Sequence, residues 1–160
     1  DMGTRCNVII IGKGFQIVLY RHWDGYPAET GAALLSALEA RNAAEAADGF
    51  GAAALVRHLL SQGEGGRKDF EITDALHGDI EHVYQIHWPD GNGSSLVIKH
   101  AAVDSEAQID NWRDYARAYS LETFRAMVNS ERRECNARIE QMRRKANKPA
   151  PSADELYQPV

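Results

Sequence analysis

The sequence has only two cysteines among its 160 residues and no long apolar run. A membrane-spanning helix needs roughly 18 or more apolar residues in succession, so no membrane partner is predicted. Cys6 and Cys135 lie far apart without Cys-x-x-Cys spacing, which argues against a zinc knuckle or a dithiol redox motif. We therefore expect a cytoplasmic protein with two free thiols, with a disulfide between them as the alternative.

Sequence motifs for common catalytic sites are also missing. The Gly-Lys-Gly of residues 12–14 lacks the length and the Ser/Thr of a phosphate-binding loop. There is no Gly-x-Ser-x-Gly elbow, and neither cysteine lies in an evident His/Asn context. No cofactor, bound metal or catalytic residue is predicted on these grounds.

The charge is unevenly distributed along the chain. The net charge is −5, yet residues 120–148 carry eight Lys/Arg against four Asp/Glu. Duplex DNA needs a broad cationic face, so the acidic remainder argues against direct nucleic-acid binding. The basic segment is typical of a solvated helix face, and a contact with nucleic acid or an acidic protein is the alternative.

Hydrophobic periodicity predicts an α+β domain. Residues 7–11 and 15–23 read as a hairpin that is apolar on both faces, which is typical of central strands. Residues 69–76 alternate with period two, and residues 80–88 and 95–101 flank a turn-rich segment. We expect a five-stranded antiparallel or mixed sheet, made of two hairpins plus one strand, with helices packed on it.

Helices are predicted after Pro27, around residues 50–63, from residue 104 or 105 to 119, and from 121 to 146. The single domain would span residues 2–148, with a flexible C-terminal tail at 149–160. In the long C-terminal helix, Leu121, Val128, Cys135 and Met142 recur every seven residues, but their four-residue partners are mostly charged. This half pattern favours packing on the domain, with a modest homodimer contact as the alternative.

Residues 20–27, YRHWDGYP, are the densest group of functional side chains in the sequence. On an extended strand Tyr20, His22 and Asp24 would share one face, and sheet pairing could bring His82, His87 or His100 near them. That arrangement would suit a metal-assisted hydrolase. The alternative is a structural corner, in which Asp-Gly turns the chain and Pro27 fixes the helix entry. We favour the structural corner and list its candidate binding residues as Arg21, His22, Trp23, Asp24 and Tyr26.

Acidic side chains cluster on or beside the middle strands and form a second candidate surface. A negative surface can occupy a cationic channel, and complementary charge accelerates encounter. An ordinary solvated sheet edge is the alternative reading. The residues in question are Asp69, Glu71, Asp74, Asp79 and Glu81.

The string MGTRCNVII followed by LYRHWDGYP resembles a group of small bacteriophage and prophage proteins. These begin Met-Gly/Ser-Thr-Arg-x-Asn, and a short hairpin leads to a His-x-Asp-Gly-Tyr-Pro corner. The match covers residues 2–30 and implies a setting in the bacterial host cell, not an activity. Phage genes of this size often encode inhibitors of bacterial defence, including anti-CRISPR proteins, which this chain is similar to in size, acidity and lack of catalytic motifs.

These observations favour a non-enzymatic phage or mobile-element protein that binds and blocks a host protein. A nucleic-acid-handling defence complex is the expected partner. The first alternative is a small metal-dependent hydrolase centred on His22 and Asp24. The second is a dimeric regulatory module that uses the basic C-terminal helix.

Overall fold

The computed structural model describes residues 3–40, 49–62, 69–91 and 95–160 of the chain. Within these ranges the chain forms an α+β fold around one mixed sheet. The strands are β1 (Cys6–Gly12), β2 (Phe15–Arg21), β3 (Phe70–Thr73), β4 (His82–His87), β5 (Val97–Ala102) and β6 (Arg117–Tyr119). The helices are α1 (Ala32–Glu39), α2 (Gly49–Leu60), α3 (Glu106–Asp110), α4 (Trp112–Tyr115) and α5 (Leu121–Lys145).

The sheet has the strand order β3-β2-β1-β4-β5-β6. Every neighbouring pair is antiparallel except β1 and β4, which run parallel. A parallel pair requires a crossover, and the chain between them supplies α1, α2 and β3. The mixed sheet and the two hairpins confirm the sequence prediction, and β1 is central, as its apolar character on both faces indicates.

Each face of the sheet has its own hydrophobic core. On one face Val8, Ile10 and Leu19 pack against α1, α2 and α5, including fully buried Leu34 and Phe124. On the opposite face, a smaller cluster joins strand residues to the loop before β4 and to α3 and α4. The members of this second cluster are Ile9, Val18, Tyr20, Ile80, Val83, Ala101, Val103, Ile109 and Trp112.

The prediction of five strands is wrong, because a sixth strand, β6, pairs with β5 at the sheet edge. The sequence predicted helix up to Tyr119, but the helix ends at Tyr115 and Ala116 is extended. Trp112 packs on one face of the sheet, whereas Tyr119 and Phe124 meet on the other, with ring centroids 5.8 Å apart. A continuous helix would keep these side chains on one face, so the chain crosses at the edge as a strand.

The helices begin and end close to their predicted positions. Pro27 opens a π-helical turn, Pro27–Gly31, that leads directly into α1. Ser120 and Thr123 form a reciprocal capping box at the start of α5, which satisfies amides that a helix start leaves unpaired. Val128 is buried but Met142 is 70% exposed, so only the first half of the seven-residue pattern in α5 packs on the sheet.

None of the helices in the described part of the chain has the length and apolar content that a membrane crossing requires.

The segment for which the sequence predicts a flexible tail, residues 149–160, folds back along α5. A short 3-10 turn covers Ala153–Glu155, and Arg143 pairs with Glu155. Beyond it, Asn136 and Asn129 hydrogen-bond to the main chain of Tyr157 and Val160. The structure thus gives this segment specific contacts with the helix.

Two histidines form a hydrogen-bonded pair on β4 and β5. The Nδ1 atom of His82 lies 2.9 Å from the Nε2 atom of His100, and the rings stack. One nitrogen must donate and the other accept, so the contact fits two neutral imidazoles. Burial lowers the pKa of His82 to about 4 and, together with the neighbouring His82, that of His100 to about 3.

The histidine pair predicts a loss of stability in mild acid. The unfolded chain takes up protons near pH 6.5, whereas the folded pair resists them until about pH 4 and 3. Stability should therefore be complete above pH 6.5, fall as the pH is lowered, and have lost roughly 2 kcal/mol or more by pH 5. Urea unfolding between pH 7.5 and 5 measures this loss.

The variant His100→Gln should flatten that pH dependence, because it removes one titrating group and leaves a neutral partner for His82. His22→Ala is the control, since His22 is exposed. Equal slopes for wild type and His100→Gln would refute the assignment.

Candidate functional site

The corner after β2 is built by the backbone of two residues. Asp24 adopts a left-handed conformation with φ 58°, which non-glycine residues adopt at a cost. Gly25 follows in such close contact that a Cβ atom there would lie 2.7 Å from the carbonyl carbon of Arg5. The hydroxyl of Tyr84 donates to the Gly25 carbonyl at 2.7 Å. The turn is therefore fixed against β1 and β4.

A buried guanidinium holds the corner to the first helical turn. Arg21 donates from Nη1 to the Thr30 hydroxyl at 2.8 Å, and Thr30 donates to the Asp24 carbonyl at 2.7 Å. The Nη2 atom of Arg21 lies 3.3 Å from an Asp69 carboxylate oxygen, and the guanidinium stacks on Phe70. Arg21 is only 5% exposed, so its charge depends on these partners.

On the other face of the sheet, Tyr20 is at the centre of a polar cluster. Its hydroxyl donates to the Asp79 carboxylate at 3.1 Å, and Asp79 also pairs with Arg5 at 3.2 Å. The His77 ring stacks on Tyr20 at 3.9 Å, and the His22 Nδ1 atom lies 3.3 Å from its hydroxyl. Burial, followed by Asp79, raises the pKa of Tyr20 to about 12. The phenol is therefore a donor at neutral pH.

The hydrolase hypothesis needs His22 and Asp24 on one strand face, and the structure separates their roles. β2 ends at Arg21, and the turn that follows is left-handed at Asp24. Both side chains are exposed. Over residues 3–40, 49–62, 69–91 and 95–160, no three or more His, Cys, Asp or Glu side chains are grouped to hold a metal ion.

The expected approach of a hairpin histidine to His22 does not occur by sheet pairing. Strand β1 lies between β2 and β4, so His82, His87 and His100 are on strands that do not pair with β2. The histidine that reaches the cluster is His77, from the loop before β4. Asn7 holds that loop by accepting a hydrogen bond from the His77 amide at 2.9 Å.

The remaining aromatic residues of the corner have partly buried positions. Trp23 forms an edge contact with His22 at 4.7 Å between ring centroids. The Tyr26 hydroxyl lies 3.1 Å from that of Tyr157 on the C-terminal segment. Between Tyr20, His22 and β3 there is a recess of about 190 Å³, smaller than the roughly 300 Å³ at which small-molecule pockets begin.

The five acidic candidates divide into two groups. Asp69 and Asp79 pair with Arg21 and Arg5 and are thus part of the framework. The other three, Glu71, Asp74 and Glu81, are exposed, and in the described ranges no ion pair involves them.

Those three lie on one surface of the sheet. Glu71 is opposite Tyr20 in the β2–β3 register, and the Glu81 amide donates to the Arg5 carbonyl at 2.9 Å. Asp79 contacts both Tyr20 and Arg5 and so connects the two ends. Asp74 follows β3 directly. We call Glu71, Asp74 and Glu81 the acidic edge.

Sequence reasoning missed several residues of this site. Thr30, Tyr84, Arg5 and His77 all make contacts that shape it, and each lies in another element. Only Thr30 carried a signal, because a hydroxyl near a helix start is a frequent capping group. The others require the strand order, which the sequence does not print.

Comparisons with protein-family models, with curated proteins and with solved structures found no match. The functional argument therefore rests on the residues and contacts of the chain.

Replacing Arg21 tests whether the corner is structural. Arg21→Met should lower the free energy of unfolding by about 2–4 kcal/mol, because it leaves Thr30 and Asp69 without their partner. Arg21→Lys should cost less, since it keeps the charge but loses the two-pronged geometry. The matched control, His22→Ala, should change stability by no more than about 0.5 kcal/mol. Urea unfolding at pH 7.5 measures all three, and a near-neutral Arg21→Met would contradict the account.

Proposed function

We propose that the protein is a non-enzymatic binding protein that blocks a cationic surface of a host protein. The observation that carries this proposal is the acidic edge, in which three exposed carboxylates lie beside β3 without an intramolecular ion pair in the described part of the chain. Unpaired charge is available to a partner. Complementary charge increases association rates and selects among partners.

Strand β3 adds an apolar contact to this surface. It ends the sheet, and Ile72 on it is 65% exposed. An apolar side chain surrounded by acidic ones suits a partner with a small hydrophobic site and a basic rim, because interfaces combine an apolar centre with polar surroundings.

The resemblance to phage and prophage proteins supports a bacterial host as the setting. Host proteins that handle nucleic acid present cationic channels, and the acidic edge has the opposite sign. We therefore propose a nucleic-acid-handling defence complex as the partner, in the manner of an anti-CRISPR inhibitor. Neither the hydrolase nor the dimeric alternative receives a comparable contact from the described residues.

Charge reversal tests this proposal. The triple variant Glu71→Lys, Asp74→Lys, Glu81→Lys should lose binding by ten-fold or more, because attraction becomes repulsion. The matched control reverses the exposed carboxylates Asp110, Glu134 and Glu140, which changes net charge equally. Each chain is immobilised and incubated with bacterial lysate at about 0.15 M and then about 0.5 M salt, which screens exposed charges more strongly.

The account predicts one protein or complex that the wild type and the control retain at the lower salt and the triple variant does not. Retention should fall at the higher salt. Equal capture by all three chains, or no stoichiometric partner for the wild type, would contradict it.

A further inference from the structure

The contact between α5 and the C-terminal segment has the geometry of main-chain recognition. The Asn136 side chain donates to the Tyr157 carbonyl at 2.9 Å and accepts from the Tyr157 amide at 2.8 Å. Asn129 repeats this pattern with Val160, at 3.1 and 2.8 Å. Each asparagine therefore reads both the donor and the acceptor of one residue.

The spacing of the two asparagines matches an extended peptide. Seven residues of α-helix rise about 10.5 Å, and three residues of extended chain span about 10 Å. Asn129 and Asn136 are seven apart, and Tyr157 and Val160 are three apart. Between them, Arg132 donates to the Gln158 carbonyl at 2.7 Å. The helix face is thus matched to extended backbone over residues 157–160.

Side-chain contacts are concentrated at the two ends of this stretch. The Tyr157 hydroxyl donates to Glu29 at 2.7 Å, and the Arg132 guanidinium lies 4.9 Å from its ring centre. Val160 packs against the helix-side core. Gln158 and Pro159 between them are exposed. Selectivity is therefore expected for tyrosine at the first position and an aliphatic residue at the fourth.

We propose that this face of α5, with the Pro27–Gly31 turn beside it, is a peptide-binding groove for extended segments of Tyr-x-x-aliphatic sequence. The chain's own residues 157–160 occupy it in the structure. A partner segment of the same chemistry binds by displacing them. The groove does not involve the acidic edge, so the two proposals stand or fall separately.

Displacement must overcome the local concentration of the tethered segment. A short flexible tether holds its segment at an effective concentration in the millimolar range. A free peptide therefore binds the wild-type chain weakly. Weakening the tethered copy alone, through its tyrosine, should open the groove without altering its walls.

The test uses the full chain and a labelled, amide-capped peptide of residues 152–160, SADELYQPV. Fluorescence anisotropy should show the peptide binding the Tyr157→Ala chain at least ten-fold more tightly than the wild type. Adding Asn136→Ala to that chain removes two hydrogen bonds, and should weaken binding by about ten-fold or more. Gln141→Ala is the matched control, since Gln141 is exposed on α5 and should leave binding unchanged.

Circular dichroism establishes that each variant is folded before binding is compared. If Tyr157→Ala does not fold, Tyr157→Phe takes its place, because it removes only the hydroxyl contacts with Glu29 and Tyr26. A folded tyrosine variant that binds the peptide no better than the wild type would overturn the proposal. So would a peptide affinity that Asn136→Ala leaves unchanged, or one that persists when the peptide's own tyrosine is replaced by alanine.

Discussion

The contact on which this structure depends is the buried guanidinium of Arg21. A charge that is 5% exposed requires partners, and it finds them in the Thr30 hydroxyl, the Asp24 carbonyl and the Asp69 carboxylate. These groups belong to the first helical turn, the corner and the approach to β3. One side chain therefore determines how the first hairpin connects to the elements that follow it.

The two proposed surfaces are supported by neighbouring parts of this framework. On one face of the sheet, Tyr20 and Arg5 hold Asp79 and so position the loop that the acidic edge borders. On the helix side, the turn that Thr30 anchors carries Glu29, which binds Tyr157 of the C-terminal segment. The dense YRHWDGYP segment thus acts through its geometry, and its exposed side chains contribute least to it.

Local pattern was sufficient for the elements that a single stretch of sequence specifies. The first hairpin, the long helix and the central position of β1 follow from apolar periodicity and turn residues. β6 was missed because Trp112, Ala116 and Tyr119 keep helical spacing, while the choice between helix and strand is made by the free edge of β5. Arg5, His77 and Tyr84 were missed for the same reason, since strand order brings them to the corner.

The most direct test of a structural corner is the stability of Asp24→Gly, measured by urea unfolding with and without a divalent cation such as Zn²⁺. Glycine accepts the φ of 58° without strain, and no hydrogen bond or ion pair of the Asp24 carboxylate occurs in the described residues. We expect a change within about 1 kcal/mol, unaffected by the cation. A loss well beyond that, or a cation-dependent stabilisation that only the wild type shows, would contradict the account.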